Sequence, residues 1–341
     1  MNFSKKNLIL IFISTLLSAF ILYIFIWKSN VSENGRIIVT SDVEINQIVA
    51  SADSYLKNPF SLKIMLYAVE LIKPIKPGSY RLEEGMNNIT IIRILIIGRQ
   101  SPINLTFNNQ DTLEKLAGRI AMEMEFDSIS LLDELKKIEY LKSDGFNKET
   151  VLSVFIPNSY EIYWNISPEK FINKMLTEYQ NFWNEERIEK ATKLNLTPIQ
   201  VQILASIVQK ETTFIAERPI VAGLYLNRIK ADWPLQADPT IVFSIKQKTH
   251  QDTVIKRVLK KHLLIDSPYN TYKNTGLPPG LISMPDISSI DAVLNAPKHD
   301  YFYMCASSEK IGSHLFATTL AEHNRNASKY QKWLNQQGIN K

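Results

Sequence analysis

The stretch PIQVQILASIVQKETT, residues 198–213, has the residue spacing of a buried helix. Leu204, Ile207 and Val208 are apolar at positions i, i+3 and i+4, and Glu211 continues the series at i+7. The pattern predicts a helix that carries a carboxyl group on its buried face, close to its C-terminal end. Burial and the partial negative charge of a helix C-terminus both disfavour the ionised form of that group.

Glu211 is therefore a candidate general acid, because a glutamic acid that stays neutral near pH 7 can donate a proton. Two structural alternatives stay open. The stem of the side chain can pack while the carboxylate reaches water, or the carboxylate can pair with a cation such as Arg228.

Two polar segments that follow are candidates for ligand binding. In the turn 235–240, Asp238 precedes Pro239 and is predicted to be extended, either capping a helix that starts at Thr240 or facing a cleft. The loop 266–280 combines tyrosines, asparagines and prolines, which suits a carbohydrate-binding surface as well as an ordinary structured loop. The candidate binding residues are Gln236, Asp238, Thr240, Ser267, Tyr269, Asn270 and Tyr272.

Composition restricts the class of protein. A chain of 341 residues, 45% hydrophobic and 21% charged, is long enough for two or three folded domains. Its net charge of +5 suits an anionic surface, but no basic stripe interleaved with aromatic residues predicts nucleic-acid binding. The single cysteine, Cys305, lies in an apolar run and favours a buried strand position. The five histidines lack ligand spacing and no nucleotide-binding motif occurs, so neither a metal nor a cofactor is predicted.

The N-terminus predicts a membrane anchor. Leu8 to Trp27 contains twenty uncharged residues, enough to cross a bilayer core of about 30 Å as a helix. Tyr23 and Trp27 stand where interfacial aromatic residues concentrate. No small-residue cleavage pattern follows, which favours a retained anchor over a cleaved signal. Lys5 and Lys6 place the N-terminus in the cytoplasm and the remaining residues outside the membrane.

Periodicity and turn residues predict the remaining elements. Residues 89–97 read equally as helix or strand, with Asn88 as a candidate cap and Gly98 as the end. Residues 112–138 are predicted to be helical and to act as a packing or spacer element, and the part from about residue 155 to 296 is predicted to be mainly helical. The other predicted elements are a strand at 36–40, a helix at 58–72, strands at 76–82 and 103–107, a hairpin of 301–306 with 313–318, and a final helix at 320–336.

Several motifs occur in an order that resembles the endolytic murein transglycosylase (YceG-like) family. The main one is the run 205–212 around Glu211, and Gln209 stands where the family often has an acidic residue. The others are Pro77-Gly78-Ser79-Tyr80, 155–160, Glu217-Arg218, Asn227-Arg228, 235–240, 267–272, 276–280, 312–316 and 322–324.

This resemblance implies an α+β protein. It implies an anchor and linker over residues 1–34, a LysM-like module over 35–107, a helical spacer over 108–152, and a lysozyme-like, mainly helical catalytic domain with a small C-terminal hairpin over 153–341. The family's catalytic glutamate maps onto Glu211. The implied substrate is peptidoglycan glycan strands at the inner membrane, with peptidoglycan synthases as candidate partners.

The resemblance also implies a reaction. Glu211 would protonate the bond between MurNAc and GlcNAc, and the C6 hydroxyl of the same MurNAc would close onto C1 to leave a 1,6-anhydro end. Two rival hypotheses remain: a hydrolytic muramidase in which Asp238 helps to activate water, and a non-catalytic, membrane-tethered scaffold that binds glycan.

Overall fold

The computed structural model describes residues 5–137, 145–249, 255 and 257–337. Within these residues, helices combine with three two-stranded sheets. The helices are α1 Lys5–Ile26, α2 Ile45–Ser51, α3 Pro59–Glu70, α4 Asn88–Ile97, α5 Leu113–Ala121, α6 Ser128–Lys136, α7 Pro168–Phe182, α8 Glu185–Lys193, α9 Pro198–Glu211, α10 Arg218–Lys230, α11 Asp238–Thr249, α12 Ile287–Leu294 and α13 Leu320–Gln336. The strands are β1 Gly35–Val39, β2 Gly78–Leu82, β3 Ile103–Phe107, β4 Asn158–Ile162, β5 Tyr303–Ala306 and β6 His314–Ala317.

The chain forms two compact units. The first contains residues 1–105, 120–127 and 159–167, and the second contains 106–119, 128–158 and 168–341. Both units are assembled from separated stretches of sequence. The division of the chain into domains that begin at residues 35, 108 and 153 stays a prediction.

The first unit begins with α1, which is long and apolar enough to cross a membrane and in which no residue from Ile9 to Ile26 is buried. The next elements form a small α+β core. Strands β1 and β2 pair antiparallel with Ile37 opposite Tyr80, and α2, α3 and α4 bury their apolar faces against that pair. The alternation of inward residues along β1 places Ile37 and Val39 at 0% exposure.

Residues 89–97, which read equally as helix or strand, are helical within α4. Gly98 ends the helix at φ 77° as predicted. The prediction that Asn88 caps it is wrong, because the Asn87 side chain accepts from the Thr90 N–H at 3.0 Å. Asn88 is instead 1% exposed and hydrogen-bonded inside the unit.

Residues 112–138 form two helices, α5 and α6, with the end of the predicted span at Ile138 outside the described residues. The helix is interrupted because the Glu125 N–H donates to the Trp164 carbonyl at 3.1 Å in place of a carbonyl one turn earlier. Sequence patterns also missed α2 and β4.

The second unit is built around α9. Thr197 and Gln200 form a capping box at its start, and Pro198 occupies the first turn. Every residue from Val201 to Val208 is buried, so α9 is enclosed on all sides over that span. Helices α10, α11 and α12 surround it.

Gln209 fixes α9 to the segment before α12. Its side chain accepts from the Asp286 N–H at 2.6 Å and the Ser289 hydroxyl at 3.1 Å, and donates to the Met284 carbonyl at 3.3 Å. An acidic residue at this position could accept both bonds but could not donate the third.

The predicted C-terminal hairpin and final helix are confirmed as β5, β6 and α13. Tyr303 pairs with Ala317, and Cys305 lies in β5 but is half-buried, not buried as predicted.

Candidate active site

Glu211 is the last residue of α9, followed by Thr212 in an extended conformation. Because α9 ends at this residue, the Glu211 carboxyl group lies at the edge of the buried core. The residue as a whole is half-buried, yet its Oε2 atom is inaccessible to solvent and has no hydrogen-bond partner among the described residues. One carboxyl oxygen therefore faces protein while the side chain borders open space.

Burial raises the pKa of Glu211 from 4.5 to about 7. His314 lowers the pKa of Glu211, and Tyr225 and Arg228 lower it more weakly. The negative charge of Asp238 raises it further. A carboxyl group with this pKa is protonated in a large fraction of molecules near neutral pH, as a general acid must be.

Tyr225 on α10 is a polar neighbour of Glu211 that the sequence analysis did not single out as a site residue. It is 0% exposed, and its hydroxyl has no hydrogen-bond partner among the described residues. The hydroxyl is near enough to lower the pKa of Glu211, although the two groups do not meet hydrogen-bond geometry. Two unpartnered polar groups thus lie side by side, and each unsatisfied group costs about 1–3 kcal/mol when buried.

Arg228 does not form an ion pair with Glu211 in the described part of the chain. Its Nε and one terminal nitrogen donate to the Phe302 carbonyl at 2.8 and 2.6 Å, and the other terminal nitrogen donates to the Leu235 carbonyl. The guanidinium therefore ties α10 to the segment before β5, and the proposed Glu211–Arg228 pairing is not observed.

Behind Glu211, a hydrogen-bonded brace joins three segments. Glu217 accepts from the Thr212 hydroxyl at 2.9 Å, from the His314 backbone N–H at 2.7 Å, and pairs with His314 Nδ1 at 2.8 Å. The side chains of His314 and Glu217 are 16% and 11% exposed. This brace fixes the residue next to Glu211 against β6. Both residues stand in the quoted motifs, but neither was predicted as a site residue.

Asp238 is the first residue of α11, so it does not cap a helix that starts at Thr240; of the two alternatives, it lines a cleft. Its Oδ1 accepts from the Tyr272 hydroxyl at 2.6 Å. Burial and this hydrogen bond raise the pKa of Tyr272. The structure therefore brings Asp238 and Tyr272 together beside Glu211, with Asp238 exposed to solvent.

Two other predicted binding residues lie inside the fold. Thr240 is 0% exposed and bonds to Ala237 and Thr271. Asn270 is also 0% exposed, and its amide donates to the carbonyls of Leu263 and Ile265. Their contact with a ligand stays a prediction, but their polar groups already hold the loop.

The other three predicted binding residues differ in exposure. Ser267 accepts from the Tyr269 N–H at 3.2 Å and shapes the start of the loop. Tyr269 is 3% exposed and packs on Phe243, with ring centroids 4.7 Å apart. Gln236 is exposed at φ +50°, and its N–H donates to the Thr271 carbonyl at 2.9 Å.

A cleft of about 1640 Å³ within the second unit reaches Glu211 and Asp238. Tyr269 and Phe243 are among its aromatic lining residues, and the Lys210–Asp111 ion pair of 2.6 Å lies on its rim. A cleft of this size can hold several sugar rings. Within the described ranges, no group of three or more acidic, histidine or cysteine side chains is arranged to hold a metal ion.

The site thus has the properties of an acid–base centre built on one carboxyl group: a raised pKa, an adjacent hydroxyl, and an open cleft on one side. A family model described as the YceG-like family matches residues 38–329. Since that match covers most of the chain, the chain belongs to the YceG-like family.

Similar proteins agree with this assignment. The endolytic murein transglycosylase of Bacillus subtilis is 34% identical over 268 residues, covering 74% of this chain and 72% of that protein. The protein of the same name from Streptococcus pneumoniae is 26% identical over 282 residues, and the match spans 51% of its length. The crystal structure of a yceG-like protein from Listeria monocytogenes has a TM-score of 0.56 and 26% identity, covering 86% of this chain and 98% of that one.

Proposed function

We propose that this protein is an endolytic murein transglycosylase that cleaves peptidoglycan glycan strands with Glu211 as its acid and base. The observation that carries the proposal is the Glu211 carboxyl, whose pKa is raised to about 7 at the wall of the cleft. The names of the similar Bacillus and Streptococcus proteins support the substrate and reaction class.

The reaction begins with neutral Glu211 donating its proton to the glycosidic oxygen between MurNAc and GlcNAc. The bond between that oxygen and C1 of MurNAc then breaks, GlcNAc leaves with the donated proton on its 4-hydroxyl, and positive charge develops at C1. The Glu211 carboxylate next removes the proton from the C6 hydroxyl of the same sugar, and that oxygen bonds to C1. Because the nucleophile is tethered to the reacting centre, neither a positioned water nor a second carboxylate is required.

Tyr225 has a place in this cycle. Its buried hydroxyl lies beside the carboxyl, and hydrogen bonding to a carboxylate favours the ionised form. We infer that it stabilises the Glu211 carboxylate between the two proton transfers. A hydrogen bond from Tyr225 would limit how basic the Glu211 carboxylate becomes, so that Glu211 can both donate the first proton and remove the second.

The hydrolytic muramidase is the second candidate, and the position of Asp238 favours it. Asp238 is near enough to Glu211 to raise its pKa, so a water between the two carboxyl groups would have a base. The Tyr272 hydroxyl holds Asp238 Oδ1 at 2.6 Å and competes with that role. Under the transglycosylase hypothesis Asp238 and Tyr272 orient the sugar. The non-catalytic scaffold would use the same cleft for binding alone.

Helix α1 fits a single-pass membrane anchor by length and composition. We propose that it places the N-terminus in the cytoplasm, and places the second unit and the part of the first unit that follows α1 on the outer side of the inner membrane. The antiparallel β1–β2 pair with its helices supports a small glycan-binding, LysM-like module. The enclosed α9 with its terminal glutamate supports a lysozyme-like catalytic core. Peptidoglycan synthases remain the candidate partners.

The test is mass spectrometry of the products from uncross-linked glycan strands, using a fragment of residues 29–341. We expect 1,6-anhydro-MurNAc ends, abolished by Glu211→Gln and retained by Glu149→Gln, a matched cleft-lining control. Asp238→Asn separates the enzyme hypotheses, because a transglycosylase keeps the anhydro product at a lower rate. Products heavier by one water, lost in Asp238→Asn, would establish the muramidase. Binding without cleavage by folded protein would establish the scaffold.

A further inference from the structure

Helix α3 in the first unit has an apolar face that the described structure leaves uncovered. Phe60, Ile64, Tyr67 and Leu71 are 63%, 43%, 47% and 90% exposed. At 3.6 residues per turn, these positions fall within an arc of about 60°. The buried residues of α3, such as Leu62 and Leu66, lie on the opposite face. We name the four exposed residues the α3 stripe.

The α3 stripe starts next to the end of the predicted anchor. Asn88 donates to the Phe25 carbonyl in the last turn of α1 at 2.6 Å and to the Ser61 hydroxyl in the first turn of α3 at 2.9 Å. It also accepts from the Asn30 side-chain amide at 2.7 Å. Asn88 is 1% exposed, so this junction is a fixed part of the fold.

This junction sets the height of the first unit above a bilayer. If α1 spans the membrane, the Phe25 carbonyl lies at its outer boundary, and Ser61 is one side chain away. The helix then extends for about 16 Å from Phe60 to Leu71. No flexible tether separates the stripe from the membrane surface.

The charges around α3 match an anionic surface. Residues 57–76 contain Lys57, Lys63, Lys73 and Lys76 against the single acid Glu70. A helix with aromatic and aliphatic residues on one face and lysines beside them is typical of one that lies in the headgroup region of a bilayer. A protein partner would not require the stripe to begin at the anchor.

We propose that the α3 stripe is a second membrane contact, which lies in the outer leaflet and holds the first unit against an anionic bilayer. This inference rests on the proposal that α1 is an anchor, and it does not depend on the reaction at Glu211. This contact would fix the orientation of the first unit. Two membrane contacts, α1 and the α3 stripe, restrict its tilt relative to the bilayer, whereas a single helix lets it tilt.

The test places a polarity-sensitive fluorophore on the stripe of the full-length protein. Since Cys305 is the single cysteine, a Cys305→Ser background allows one label at Ile64→Cys. Asn46→Cys is the matched control, since it lies on the exposed side of helix α2 in the same unit. Both proteins are reconstituted in vesicles of phosphatidylglycerol and phosphatidylethanolamine with and without doxyl-labelled lipid.

We expect the label at position 64 to shift its emission to the blue and to be quenched by doxyl lipid, and the label at position 46 to show neither effect. Equal, solvent-like emission at both positions in vesicle-bound protein would overturn the stripe proposal and leave the anchor intact. A blue shift at 64 without lipid quenching would also overturn it, in favour of a protein partner. Failure of the protein to float with vesicles would remove the anchor and the stripe together, while the cleavage assay would still report on Glu211.

Discussion

Replacing Glu211 with glutamine should abolish cleavage and stabilise the fold above neutral pH. Below about pH 4.5 the carboxyl is protonated in both the folded and the unfolded chain, so its burial costs nothing through ionisation. Between pH 4.5 and 7 the unfolded chain releases the proton and the folded chain keeps it, so the free energy of unfolding falls as pH rises. Above pH 7 the folded protein carries the full cost of a buried charge, which glutamine does not have.

The magnitude follows from the two pKa values, 4.5 and about 7. At about 1.4 kcal/mol per pKa unit, the raised pKa lowers the free energy of unfolding by about 1 kcal/mol at pH 5 and by about 3 kcal/mol at pH 8. Solvent on the cleft side screens part of this cost. The stability advantage of Glu211→Gln should therefore grow by about 1.5 to 2.5 kcal/mol from pH 5 to pH 8.

The assay is urea unfolding of residues 29–341 at both pH values, for wild type, Glu211→Gln and the exposed control Glu114→Gln. This fragment lacks the Phe25 carbonyl to which Asn88 donates in the first unit, but it keeps all of the second unit, which contains Glu211. A difference between Glu211→Gln and wild type that does not grow with pH would refute the buried-carboxyl argument. Cleavage by the stabilised variant would refute the catalytic role separately.

Three further predictions concern pH and packing. The kcat/KM of glycan cleavage should fall about tenfold per pH unit above pH 7 as Glu211 loses its proton, and a pH profile that stays flat to pH 9 would contradict this. Arg218→Ala should lower the free energy of unfolding by about 2 to 3 kcal/mol in urea titrations. That substitution removes the partner of Asp286 in a 2.9 Å ion pair, which helps to lower the pKa of Asp286. The exposed control Lys193→Ala should lower the free energy of unfolding by less than about 0.5 kcal/mol. Glu217→Ala removes the brace behind the site and should lower kcat at least about tenfold with little change in KM in steady-state assays, and an unchanged kcat would show that the brace does not position Glu211.

The brace also explains how a residue at a helix end is held accurately. Helix ends fray unless their last groups have partners. Thr212 follows Glu211 directly, and its hydroxyl is held by Glu217, which in turn is held twice by His314. The acid is therefore positioned by three separated segments of the second unit.

The sequence by itself predicted the elements whose signals are local. The apolar length of α1, Gly98 at the end of α4, the C-terminal hairpin and the final helix depend on neighbouring residues. The i+7 continuation at Glu211 also sufficed to predict a buried carboxyl group at a helix end. These features follow from periodicity and backbone preference, which act over a few residues.

Only the tertiary structure decided which groups surround Glu211. Tyr225 reads as one more apolar helix position, yet the packing of α10 on α9 brings its unpartnered hydroxyl to the carboxyl. Asn270 reads as a sugar-binding amide, yet its side chain is used by carbonyls of its own loop. Arg228 reads as a partner for Glu211, yet the Phe302 and Leu235 carbonyls take its donors. A polar side chain bonds to the partner that the packing of distant segments brings within about 3 Å. Which partner that is cannot be predicted from the neighbouring residues in the sequence.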